Sequence, residues 1–201
     1  MELKEEYRLV YMPGGGAAVD TSRLVQSVTI SGRSGSPTRS LKAVLTDDGG
    51  TGHDRVDANP ENGDQCIFVY VDREKEQHEM FRGLVMRATR GSNKLLTIEA
   101  NDIGIYLSNN ADTFSYENVT ANAVFSDVCS RFGIPTGTVD STGHVIPELV
   151  CSKSTAFDVI ADALEQTYEA TGERYALIAQ EGKKNRLSTN VIKPSHWSIA
   201  A

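Results

Sequence analysis

The chain has 201 residues and a mass of 21.9 kDa, with 39% hydrophobic and 23% charged residues, enough apolar content for one large or two small packed domains. Twenty Lys and Arg against 27 Asp and Glu leave a net charge of -7, a poor balance for specific nucleic-acid binding or for an anionic membrane surface. No apolar run approaches the roughly 20 residues that span a bilayer, so no membrane insertion is expected. The opening MELKEE lacks the apolar stretch of a secretory signal. Cys66, Cys129 and Cys151 are widely spaced without a C-x-x-C pair, which suits reduced thiols in a protein made in a reducing cytoplasm.

In chain order, the first hundred residues read as β. Residues 6–11 and 24–31 are β-branched or aromatic runs separated by Pro13 and Gly14 to Gly16. Residues 39–46 alternate, with Leu41, Ala43 and Leu45 on one face and Ser40, Lys42 and Thr46 on the other, the period of a half-buried strand. A Gly-, Asp- and Asn-rich loop spans 47–65; such long loops are uncommon and often functional, so it is the expected partner-contact surface. Residues 66–71 are apolar at every position and should be covered on both faces or sit at a sheet centre. Residues 80–90 and 94–100 then form a hairpin around Gly91, Ser92 and Asn93. Strands at this spacing predict a small antiparallel barrel or sandwich.

The pattern changes after Asp102. Residues 103–107 fit one helical turn. Ala121, Val124, Phe125, Val128, Cys129 and Phe132 form one helical stripe, with Thr120 as N-cap and Gly133 at its end. A second helix begins at Thr155, with Asp158 at capping-box spacing, a stripe of Phe157, Ile160, Leu164 and Tyr168, and Gly172 as its stop. Residues 174–180 and 186–192 read as a further hairpin. The expected class is β-rich α+β: a small antiparallel β-barrel domain over 1–108, a two-helix segment over 109–172, and a β-hairpin and tail over 173–201.

No catalytic constellation emerges, and no catalytic, cofactor-binding or metal residue is assigned. His78-Glu79 opens like a zinc-protease motif, but the second histidine would fall at Arg82. The four histidines, His53, His78, His144 and His196, are scattered without ligand pairs. Gly14 to Gly16 lacks the Lys of a phosphate loop. Asp57, Asn59 and Glu61 alternate oxygen donors, yet a calcium loop would need glycine where Asn62 stands and glutamate where Phe68 stands. Asp158 and Asp162 share a helical face on which solvated charge is the ordinary explanation.

The ordered set of segments resembles a known family. The run 22–47, the Asn62-Gly63-Asp64 turn before 66–72, Phe81-Arg82-Gly83-Leu84-Val85, LTIEANDIGIYL over 96–107, NVTANAVFSDVCSRFGIPTG over 118–137 and KSTAFDVIADALEQTYEATGERY over 153–175 occur in the order and spacing of the baseplate hub proteins of contractile phage tails and phage-tail-like particles, the late-control D-like hubs of defective prophages included. The resemblance covers about residues 5–190. It implies a non-catalytic structural protein of the virion or tail particle, synthesised in the bacterial cytoplasm. Such a hub is a homotrimer whose paired small barrels make a pseudo-sixfold ring joining the hexameric tail tube to a trimeric spike. Family members continue into a second barrel, of which 173–201 would be the start. A tail-associated cell-wall hydrolase and a surface-binding module for glycan or peptide are the alternatives. Gly83, inside a strand, is expected at a bulge or a close backbone approach.

Overall fold

A computed structural model of the protein describes residues 5–32, 36–47, 58–180 and 186–191. They fall into two compact units, the first ending at Ile105 and the second beginning at Tyr106.

The first unit is one seven-stranded antiparallel sheet made of β1 (Glu6–Met12), β2 (Val19–Asp20), β3 (Val25–Gly32), β4 (Arg39–Thr46), β5 (Gln65–Val71), β6 (Gln77–Arg90) and β7 (Leu95–Asn101), in the order β2-β1-β5-β6-β7-β4-β3. The alternation read at 39–46 is realised: Leu41, Ala43 and Leu45 are buried, paired with Ala100, Ile98 and Leu96 of β7. Leu9, Tyr11, Cys66, Phe81 and Val85 complete the core, with Val25, Val28 and Ile30 packed against it.

The class is the expected one, but the ladder of strands stays open where a closed barrel was expected. It nevertheless bends. A flat seven-stranded sheet would set its outer strands roughly 29 Å apart, whereas the five residues from Asp20 to Val25 reach at most about 18 Å. The two outer strands, β2 and β3, are consecutive through a 3₁₀ turn at Ser22–Leu24, so the sheet must curl round its core. Polar atoms tie that crossing to β1: the Thr21 N–H and hydroxyl both donate to the Leu9 carbonyl (2.9 Å each), and the Leu9 N–H donates to Ser22 Oγ (3.0 Å). Side-chain and turn hydrogen bonds here stand in for part of a missing strand pair.

Gly83 is a close backbone approach. A Cβ there would overlap the Asn101 carbonyl of β7 and the Phe81 ring. The run 66–71 is covered less than expected: Cys66 and Val71 are buried, while Ile67, Phe68, Val69 and Tyr70 are half-buried.

The second unit contains the two expected helices, α2 (Ala121–Arg131) and α3 (Ala156–Thr171), after the short α1 (Ile105–Asn109). It also contains strands where only helical structure was expected. These are β8 (Ala111–Thr120), which pairs antiparallel with β10 (Val145–Thr155), and β9 (Thr136–Val139); the expected hairpin is present as β11 (Tyr175–Gln180) and β12 (Arg186–Val191), and β12 also pairs in parallel with β9. The signal was weak because β8 is mostly polar and β10 carries Pro147 and a left-handed Lys153 (φ 52°). Proline is tolerated in a strand that pairs on one side alone.

The α2 stripe lies as read, with Ala121, Val124, Phe125, Val128 and Cys129 buried; Phe132 is half-buried. The α3 stripe is rotated from the expected one. Ala156, Val159, Ile160, Ala163 and Thr167 are buried, Phe157 and Leu164 half-buried, and Tyr168 exposed. The small residues let α3 approach its neighbours α2 and β10 closely, which decides the face. Thr155 and Asp158 form the expected capping box, and Gly172 ends the helix with φ 75°. Among the described residues no helix is long and apolar enough to cross a membrane.

Candidate functional site

Residues 48–57 of the expected contact loop lie outside the described residues. The remainder is held by the first unit. Arg90 at the end of β6 gathers both flanks: its guanidinium donates to Asp47 Oδ2 (2.8 Å), Asn59 Oδ1 (3.0 Å) and the Ala58 carbonyl (2.6 Å). The Asn59 N–H donates to the Tyr11 hydroxyl (2.9 Å). The buried Asp64 carboxylate accepts from the Gly14 N–H (3.0 Å) and the Glu61 N–H (2.8 Å). These bonds frame an open depression of about 690 Å³ between Tyr11, Pro13, Gly14, Asn59 and Glu61. Asp57 lies outside the described residues, and the Asn59 oxygen already faces a guanidinium, which disfavours a calcium ion beside it.

At the opposite end of β1 a second depression, of about 490 Å³, is floored by Leu9, Phe68 and Val25 and rimmed by Tyr7, Ser22 and Lys75. Beside it runs a file of rings. Tyr7 stacks on Phe68 (5.8 Å, 7°) and tilts on Tyr70 (5.2 Å), which stacks on His78 (5.9 Å, 26°). Tyr7, Tyr70 and His78 are cross-strand neighbours on β1, β5 and β6.

The turn between β5 and β6 brings together Asp72, Glu76 and His78, whose ligand atoms lie within 4.8 Å of one another. Sequence reading missed this group. It paired His78 with Glu79, but Glu79 binds Arg82, whose Nε lies 2.9 Å from Glu79 Oε1 and whose Nη1 donates to Gln65. The usable signal was the polar turn itself, with donors at both ends and strands on either side. The His78 ring, at 2.9 Å, holds the Asp72 carboxyl below its usual range.

Other reactive groups among the described residues serve the packing. Burial pushes the Cys66 and Cys129 thiols up to about 12, away from the thiolate. Burial also raises Cys151, whose S–H donates to Asp162 Oδ2 (3.6 Å). Asp158 is taken up by the helix cap, and Asp162 by that thiol, so the two shared-face carboxylates each have a local partner. Tyr116 donates to Asp127 (2.7 Å), which also meets Arg131 (3.0 Å), joining β8 to α2. Burial raises the Tyr116 hydroxyl well above its ordinary value.

Known proteins give the arrangement a context. The profile of the YqbQ-like family matches residues 28–189. Two Bacillus subtilis (strain 168) proteins align over 161 residues: the phage-like element PBSX protein XkdQ at 31% identity and the uncharacterized protein YqbQ at 30%. Each alignment covers 80% of this chain and 47% of the relative, so the chain spans about half the length of the curated relatives it matches. Among solved structures, the 43 kDa tail protein of prophage MuSo2 from Shewanella oneidensis superposes with a TM-score of 0.61 at 15% identity, over 90% of this chain and 53% of that one. The tail protein from Neisseria meningitidis MC58 gives 0.61 at 11%, over 92% and 50%. A chain of the Francisella PdpA-VgrG complex gives 0.55 at 11%, over 94% and 31%. At these identities the likeness is one of fold. The curled sheet followed by the helix-and-ribbon unit is therefore a shared architecture, and the chain itself belongs to the YqbQ-like family.

Proposed function

We propose that this chain is a structural component of a phage tail or phage-tail-like particle, a baseplate hub that joins the hexameric tube to a trimeric spike as a homotrimer. The observation that carries the reading is that the likeness of fold to two bacterial tail proteins extends over nine-tenths of this chain and so takes in both units. The family relationship to a protein of the phage-like element PBSX supports it. In this reading 1–108 is the ring-forming domain, 109–172 lies outside the ring, and 173–201 opens a second barrel. The role is non-catalytic, and the net charge of -7 suits a ring that leaves passing DNA unbound.

Native mass spectrometry at micromolar concentration, with the copy number per purified particle, tests this. Three chains of 21.9 kDa in solution or three copies per particle are expected. Absence from the particle, or a monomer that turns over peptidoglycan, would overturn it in favour of the hydrolase reading.

A further inference from the structure

The β5–β6 turn is built more tightly than a connection requires. Asp72 Oδ1 accepts the N–H groups of Glu74 and Glu76 (2.9 Å each), and the backbone closes on itself through Asp72 N–H to the Glu76 carbonyl (3.0 Å). Lys75 takes the left-handed conformation (φ 69°) that the closure needs. Oδ2 of the same carboxylate is thereby aimed at His78 Nε2, 2.9 Å away, and Glu76 supplies a third donor. The imidazole plane is set by its stacking on Tyr70.

The basic residues of the turn itself are directed at other acids. Arg73 is drawn to Glu5 (3.2 Å), and Lys75 lies near Glu6. Two carboxylates and one imidazole remain on a partly exposed surface, with side-chain exposures of 25% for Asp72 and 48% for His78.

We propose that Asp72, Glu76 and His78 form a binding site for a late first-row divalent cation such as zinc. Ligands about 2.1 Å from one tetrahedral ion lie roughly 3.4 Å apart. The Asp72 and His78 ligand atoms are 2.9 Å apart and all three ligand atoms lie within 4.8 Å of one another, so small rotations that open the Asp72–His78 hydrogen bond bring them onto one ion. Glu76 supplies the third ligand and water the rest. One imidazole with two carboxylates favours zinc or nickel over calcium, which takes oxygen alone, and over copper(I), which prefers sulfur. The site is independent of the tail reading and stands or falls by itself.

The test uses the full chain stripped of metal, titrated with zinc by calorimetry and with cobalt(II) by visible absorption. One ion per chain is expected, with the His78 ring resonances shifted on binding. His78→Gln and Glu76→Gln should each weaken zinc by tenfold or more, as even outer-shell partners of metal ligands change affinity by about 10- to 100-fold. Glu76 is exposed, so E76Q keeps the fold intact and gives an answer even if H78Q does not fold. Failure to bind at millimolar zinc, or affinity unchanged in the variants because the ion sits elsewhere, would overturn the site.

Discussion

Arg39 and Asp102 meet across the first unit, the guanidinium Nε 3.2 Å from Asp102 Oδ2, with the carboxylate 1% exposed and the arginine side chain 35% exposed. The same carboxylate accepts the Gly104 N–H (3.1 Å), and the Asp102 N–H donates to the Arg39 carbonyl (3.0 Å). One short side chain therefore closes the end of β7, the start of β4 and the turn that follows. Asp102→Ala should cost about 2 kcal/mol by leaving a buried N–H unpaired. Asp102→Asn keeps an acceptor and should cost less, as read by urea unfolding.

Burial raises the Asp102 carboxyl above its ordinary 3.8, and the contacts from Arg39 offset only part of that. The protonated acid is thus favoured by folding. Its stabilisation is full below the unfolded value and is lost as pH rises through the folded one. Relative to D102N, which does not titrate, the wild-type protein should lose stability as pH is raised above about 4. Unfolding midpoints measured across that range check the sign; an unchanging gap would mean that Arg39 compensates the burial fully.

Gly83 and Gly63 should respond differently to alanine. At Gly83 the added Cβ meets the Asn101 backbone, which cannot yield without opening the β6–β7 pairing, so a loss of about 2–3 kcal/mol is expected. At Gly63 the space is open but φ is 94°, and about 1 kcal/mol of backbone strain is expected. Denaturant midpoints of the two variants rank them.

The two helix caps offer another contrast. Thr155 accepts the Asp158 N–H in a complete capping box, whereas Thr120 makes no side-chain cap bond. Thr155→Ala should cost about 1 kcal/mol and Thr120→Ala only a few tenths. Thermal unfolding followed by far-UV circular dichroism distinguishes them.

All three thiols should resist labelling in the folded protein. Cys66, Cys129 and Cys151 are buried, with their pKa values raised by that burial. A disulfide-exchange reagent at mildly alkaline pH should react slowly with the native chain and with all three groups in denaturant. Rapid reaction of one native thiol would show an opening that the packing does not provide.

Local features were legible because their causes are local. The two-residue alternation of Leu41, Ala43 and Leu45, the α2 stripe from Ala121 to Cys129, the Thr155 and Asp158 box and the Gly172 stop each lie within one element, where periodicity and capping act. The rotation of α3 was not legible: Phe157, Leu164 and Tyr168 outrank Ala156, Ala163 and Thr167 in hydrophobicity, and close packing against neighbours reversed that order. The ribbon of β8 and β10 escaped notice because each strand is ordered by the other, across the intervening α2 and β9.

By itself, then, the sequence determined the β-rich class, the inward faces of β4 and α2, and the ordered segments that resemble tail hubs. The tertiary structure decided that the sheet curls without closing, that Arg90 binds Asp47 and Asn59, and that Asp72 and Glu76 converge on His78. Periodicity reports which way a side chain points along its own strand or helix, while strand order and side-chain convergence depend on pairings between distant segments, which are selected by the packing of the whole unit.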